Sequence, residues 1–213
     1  MQTATLHTET GKFWDRIAPK YAKKPVADPA AYEEKLDRVR ALLRAEDRVL
    51  EIGCGTGSTA LSLAPTVAEI TATDISRGMI EIAEEKRAAP GIENVEFLQA
   101  DATEVFPEAP FDVVMAFSLL HLVDDVPAVL DAVFGQLKPG GLFLSKTVCL
   151  GDTHYGLRLF VRSLGALGFA PPVTMLRKAD VSQALIAAGF DLVECGYFGK
   201  GRLNPFILAQ RPA

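Results

Sequence analysis

The stretch Val49-Leu50-Glu51-Ile52-Gly53-Cys54-Gly55-Thr56-Gly57 constrains the fold more than any other part of this chain. A run of buried-strand character passes directly into alternating glycines, and a helical pattern follows over 57–64. Glycines in such a turn let the backbone reverse tightly and approach a ligand with no Cβ intervening. In open α/β sheets, ligands bind beyond the carboxyl ends of the strands, which is where this turn falls. Short apolar runs at 48–52, 69–73, 95–98, 111–117 and 142–148 alternate with helix-like stretches at 57–64, 78–89 and 125–137. Ahead of them, Tyr32, Leu36, Val39 and Leu43 recur at helical spacing within 30–44. Near-continuous apolar strands between amphipathic helices predict a parallel sheet covered on both faces. Right-handed crossovers then give a Rossmann-like three-layer αβα sandwich.

The C-terminal part changes character. Residues 180–188 predict a helix with Asp180 at its N-cap, Gln183 three residues on and Gly189 past its end. Strand-like runs follow at 191–197 and 206–210, joined by turn-rich residues, which implies an antiparallel hairpin at one sheet edge and seven strands in all. Residues 150–178 are apolar, contain Gly156, Gly165 and Gly168, and predict only weak helix. No internal repeat or low-complexity tract appears. The expected organisation is one domain over 1–213. It comprises an N-terminal lid with helices (1–45), a cofactor-binding core (46–150), a substrate-cap insertion (151–178) and a C-terminal helix and β-hairpin (179–213).

With 213 residues, 49% hydrophobic and 23% charged, the composition is that of an ordinary globular domain. The net charge of −5 argues against a nucleic-acid partner. That average conceals an uneven distribution. Residues 46–150 carry 17 acidic and 6 basic side chains, whereas 1–45 and 151–213 are each mildly basic. Cys54, Cys149 and Cys195 lie far apart with no CxxC pair, which fits neither a disulfide scaffold nor a zinc site. Cys54 reads as a small backbone-contributing residue, and Cys149 and Cys195 as core. No metal is expected. The polar N-terminus has no apolar signal region and no apolar run reaches spanning length, so a soluble cytoplasmic protein without membrane insertion is expected.

Charge narrows the ligand class. A dinucleotide fingerprint read from Gly53 fails at Ser58; read from Gly55, its looser form is met by Gly57 and Ala60. A P-loop is excluded, since no Gly-Lys-Ser/Thr follows. Glu51 precedes the glycines, where it repels a pyrophosphate. Asp74 ends the second strand and Asp101 follows the third. Three acids at successive strand ends suit a ligand with a positive centre, ribose hydroxyls and an adenine amino group.

These residues resemble the class I S-adenosylmethionine-dependent methyltransferases, and the resemblance extends from about Phe13 to Gln210. It implies a cofactor with sulfonium and ammonium groups. By the family pattern, Gly53, Gly55 and Gly57 pass beneath its methionyl and ribose parts, with Glu51 close to the methionyl amino group. Asp74 then binds the ribose hydroxyls, Ile75 packs on adenine, Met79 joins the cofactor-binding set, and Asp101, beside Ala102, accepts from the adenine amino group. The carbonyl of Phe117 faces the methyl-donor end. Residues 137–141 resemble the helix-ending turn before strand five, and the segment from Phe13 through Trp14 to Tyr21 resembles an N-terminal lid.

Several residues carry two readings. His121, just after strand four, either takes a proton from a hydroxyl or thiol acceptor or packs under a loop. Trp14 and Tyr21, seven residues apart, form an aromatic lid, with the Tyr21 hydroxyl on the cofactor carboxylate, or staple the N-terminal helix to the body. Residues 150–178 form a roof over a lipophilic substrate or a membrane-surface helix. The resulting expectation is methyl transfer from S-adenosylmethionine to a small-molecule acceptor, acidic or amphiphilic in view of the basic flanks. A lipid methyltransferase at a membrane surface, an NAD(P)-dependent oxidoreductase and a non-catalytic cofactor-binding module remain alternatives. Oligomeric state and the methylated atom are not legible.

Overall fold

The computed structural model describes residues 2–88 and 91–213. Two helices, α1 (Gln2–Ala22) and α2 (Pro29–Arg40), precede the sheet. Asp28 starts α2 by accepting the Ala31 N–H at 3.0 Å, with Pro29 in the first turn. The parallel strands are β1 (Arg48–Ile52), β2 (Glu69–Asp74), β3 (Val95–Gln99), β4 (Phe111–Phe117) and β5 (Leu137–Lys146). Between them run α3 (Ser58–Leu63), α4 (Arg77–Ala88) and α5 (Val126–Gln136). Then come α6 (Tyr155–Ala166), α7 (Lys178–Ala187), β6 (Asp191–Gly196) and β7 (Phe206–Gln210). The sheet order is β3-β2-β1-β4-β5-β7-β6, with β7 antiparallel to both neighbours. This is the predicted seven-stranded three-layer fold.

The period-two geometry of the strands divides the core. Leu50, Val114 and Phe143 point to one face and pack with Leu130, Val133, Val181 and Leu185 of α5 and α7. Their neighbours Val49, Met115 and Leu144 point to the other, against Leu36 and Val39 of α2 and Ile80 and Ala83 of α4. Both faces are therefore buried, as the near-continuous apolar strands require. Removing a fully buried ring such as Phe143 from this core costs about 3–5 kcal/mol.

Four expectations need correction. Asp180 is not the N-cap of α7; Arg177 is, and Asp180 sits two residues inside the helix, its carboxylate accepting the Arg177 N–H at 2.8 Å. The turn expected at 137–141 lies inside β5. Leu137 already pairs with Phe111, and the register resumes at Val113↔Leu142, so the Pro139-Gly140-Gly141 excursion is accommodated as a bulge. Cys195 is exposed on edge strand β6 rather than in the core, whereas Cys149 is buried. Residues 155–166 form a regular helix despite two glycines, begun by His154, whose Nδ1 accepts the Leu157 N–H at 3.2 Å. The expected helix over 78–89 ends at Ala88, and Ala89 lies outside the described residues.

Candidate active site

The carboxyl ends of the parallel strands open into a cavity of about 740 Å³. Its floor is built by the segment after β1. Gly53, Gly55 and Gly57 all have positive φ, near 71°, 55° and 73°. Their sites differ. A Cβ on Gly57 would lie 2.5 Å from the Phe97 ring of β3, so glycine there lets the turn pack against the sheet. A Cβ on Gly55 would meet nothing within 4 Å, because that residue faces the open cavity.

Asp74 is positioned by two backbone donors. Its carboxylate accepts the Gly55 N–H and the Ser76 N–H, each at 2.9 Å, linking the glycine turn to the end of β2. Burial raises its pKa, and those two hydrogen bonds work against the rise. Lys86 of α4 ties the same turn from behind, donating to the Thr56 carbonyl at 3.0 Å and the Thr56 hydroxyl at 2.7 Å. Asp101 accepts from the Thr103 hydroxyl and N–H, at 2.6 and 2.9 Å, in the turn after β3.

Glu51 is the most unusual group. It lies inside β1, is 2% exposed and lines the cavity, yet its Oε2 has no hydrogen-bond partner. Burial pushes its pKa up to about 7, opposed by the positive charge of Lys35 and assisted by Asp74. Lys35 rises from α2, only 3% exposed, with its ammonium over the Tyr32 and Phe117 rings at 4.5 and 4.3 Å. It donates to the Thr59 hydroxyl at 3.3 Å. Burial lowers its pKa to about 8, with Glu51 pulling the other way and Lys146 adding to the fall.

The cavity wall gathers Trp14, Tyr21, Glu51, Gly53, Gly55, Asp74, Ile75, Met79, Asp101, Ala102 and Phe117 of the expected site. Gly57 lies behind the turn instead. His121 is buried and does not line the cavity. Its Nδ1 is 3.4 Å from the Thr147 hydroxyl, and burial lowers its pKa to about 4, which leaves a neutral ring packed under the loop after β4. No residue of 151–178 lines the cavity either. That segment reaches the site indirectly, where Thr174 donates its N–H to the His121 carbonyl at 2.8 Å and its hydroxyl to that of Val123 at 3.0 Å. Trp14 meets Tyr21 edge-to-face at 6.1 Å on α1. The helix is held to α4 by Asp15, which accepts the Ser76 hydroxyl at 2.7 Å and the Gly78 N–H at 2.9 Å.

Sequence reasoning missed Lys35, Lys146, Tyr32 and Lys86 as site residues. A signal existed for the first two. Lys35 interrupts the apolar stripe of α2, and Lys146 interrupts the apolar run of β5.

The fold is the one that the sequence resemblance implies. Residues 49–141 match the family described as "Methyltransferase domain". The family match is shorter than the expected 13–210. An uncharacterized methyltransferase from Bacillus subtilis, YcgJ, is 39% identical over 102 residues, covering 47% of this chain and 40% of the relative. The chain spans about half the length, or less, of the curated relatives it matches. Among solved structures, the [4+2]-cyclase SpnF aligns over 97% of both chains with a TM-score of 0.77 at 20% identity. Magnesium protoporphyrin IX methyltransferase from Synechocystis, solved with bound SAH, aligns over 98% of this chain and 97% of its own, with a TM-score of 0.70 at 20% identity. Such likenesses establish the fold, and a cyclase among them illustrates that the fold hosts more than one chemistry.

Among the described residues, no helix is long and apolar enough to cross a membrane, and no cluster of potential metal ligands occurs.

Proposed function

We propose that this chain transfers a methyl group from S-adenosylmethionine to a small-molecule acceptor in the 740 Å³ cavity. The observation that carries the reading is Glu51, a buried carboxylate with an unpartnered oxygen on the cavity wall. An orphaned buried acceptor is costly unless a ligand completes it, and a cationic amine does so where a pyrophosphate would be repelled. The residues present fit the cofactor. Glu51 would hold its ammonium group, Asp74 its ribose diol, Ile75 and Met79 its adenine, and Asp101 the adenine amino group. Gly55 leaves the floor open beneath it.

When bound, the cofactor would supply a methyl group made electrophilic by a positively charged sulfur that also serves as the leaving group. The chain's contribution is alignment and exclusion of water. Phe117 and Leu119 form the apolar wall between β1 and β4, and Trp14 and Tyr21 close the side formed by α1. Burial raises the Tyr21 pKa, so its hydroxyl stays protonated and able to donate. His121 lies outside the lining, and we assign it no part in taking the acceptor's proton.

The test compares thermal shifts with S-adenosylmethionine, S-adenosylhomocysteine, NAD⁺ and NADP⁺. Stabilisation by the first pair alone supports the reading; stabilisation by a nicotinamide cofactor replaces it with the oxidoreductase. Labelled methyl transfer into a metabolite extract then separates an enzyme from a binding module.

A second reading, an acceptor at a lipid surface, is favoured by one observation. No residue of α6 is buried, and Tyr155, Leu159, Phe160, Leu167 and Phe169 in and after it are between 52% and 77% exposed, beside Arg158 and Arg162. Flotation with anionic vesicles tests it, and a chain that stays at the bottom of the gradient removes it.

A further inference from the structure

The cavity floor changes sign along the sheet. In the spatial order β3, β2, β1, β4, β5, the lining residues in or next to the strand ends are Asp101, Asp74, Glu51, Phe117 and Lys146. Carboxylates occupy one half and a lysine the other. Lys146 ends β5 directly opposite Phe117 in the parallel register, and the Ser118 N–H donates to its carbonyl at 2.6 Å. Lys35 enters between the halves, stacked over Phe117.

The two lysines repel one another, and burial disfavours both ammonium forms. The opposing charges nearby are Glu51 and Glu33 for Lys35, and Asp28 for Lys146. Glu51 offsets part of the Lys35 charge, and one oxygen of Asp28 is already engaged as the cap of α2, which leaves Lys146 the less compensated of the two. An ammonium presents three donors, and Lys35 places one on Thr59. Tyr32 and Phe117 flank Lys35, and Pro25 and Val26 are among the apolar residues of the same lining. A half-buried Lys146 with the buried Lys35 beside it, in a lining rich in apolar side chains, fits an anionic head on an apolar body.

We propose that the β4–β5 end of the cavity is an anion subsite, in which Lys146, with Lys35 behind it, holds the carboxylate of an apolar organic acid that serves as methyl acceptor. This rests on the methyltransferase reading above. The acceptor's negative charge then sits at the opposite end of the floor from the carboxylates that hold the cationic donor, so the two ligands orient each other.

The test is calorimetric titration of the full chain, saturated with S-adenosylhomocysteine, using matched acids and amides: benzoate with benzamide, and hexanoate with hexanamide. At least one acid should bind about tenfold more tightly than its amide. Lys146→Met should abolish that preference, and Lys146→Arg should keep it, while both variants retain wild-type affinity for S-adenosylhomocysteine. Equal binding of acids and amides by the wild type, or an unchanged preference in Lys146→Met, overturns the subsite. A Lys146→Met variant that loses S-adenosylhomocysteine binding to the same extent assigns the lysine to the donor and also overturns it. If S-adenosylhomocysteine does not bind the wild type at all, the methyltransferase reading falls with it, an outcome distinct from the others.

Discussion

The two ends of the cavity floor are built from the same sheet edge but made stable in different ways. At the β1–β3 end, acids are held by backbone: Asp74 takes amides from Gly55 and Ser76, and Asp101 takes the amide of Thr103. At the β4–β5 end, Lys35 rests on the Tyr32 and Phe117 rings and a lone hydroxyl, and Lys146 stands beside it. The first end is preorganised by turns that the chain needs in any case. The second consists of charges confined in a poorly solvating place and left to be completed by a ligand. A shared donor needs the former, whereas the latter is where one member of a family can differ from another.

The largest expected effect breaks the acidic end. Asp74→Ala leaves two backbone amides without their acceptor and removes the candidate diol ligand, so S-adenosylhomocysteine affinity should fall about 100-fold by calorimetry. Near-normal affinity would show that Asp74 serves only to hold the turn.

Next is Glu51→Gln, which keeps the shape and removes the charge. Loss of one charged hydrogen bond predicts about tenfold weaker S-adenosylhomocysteine binding at pH 8. Stability should respond in the opposite sense. Glu51 titrates near 7 in the folded protein and near 4.5 unfolded, so the folded state binds more protons between those values. Stability without ligand therefore falls as pH rises from about 4.5 to 7. Lys35 titrates near 8 folded and near 10.5 unfolded, so its contribution rises again between about 8 and 10.5. Thermal midpoints should show a shallow minimum between the two windows, and the fall on its acid side should flatten in Glu51→Gln. A curve of the same shape in both proteins would remove Glu51 as its cause.

Lys35→Met sharpens the contrast from the other side. With its nearest cation gone, Glu51 should hold its proton to still higher pH, and the pH at which S-adenosylhomocysteine binding sets in should move upward. No movement of that profile would mean that the two groups are not coupled. The smallest effect belongs to His121→Asn. A ring outside the cavity should alter the rate of methyl transfer less than about threefold, whereas general-base catalysis would cost at least about 100-fold.

The legible part of this protein was what local periodicity and strand-end chemistry encode. The span of β4 and the fold class followed from apolar runs and their spacing, and the acids at three strand ends followed from the glycine turn. What stayed hidden depended on packing between distant segments. Nothing local says that Lys35 will be carried by α2 over the end of β4, or that the ring of His121 will be turned away from the cavity into a contact with Thr147. The position of 151–178 was equally non-local: its glycines led to an expectation of weak helix where a regular one forms, and which wall it joins depends on Thr174 and the loop after β4. Cys195 was misplaced because an edge strand lacks the second covering layer that its apolar neighbours suggested.

Asp15 has a kinetic consequence. It fastens α1 to the start of α4 through Ser76 and Gly78, and Ser76 is also the residue whose amide steadies Asp74. Trp14 and Tyr21 ride on that same helix as cavity wall. Swinging the wall aside thus requires breaking the Asp15 bonds beside Asp74, so the undocking of α1 is slowed by a carboxylate that lies outside the cavity lining.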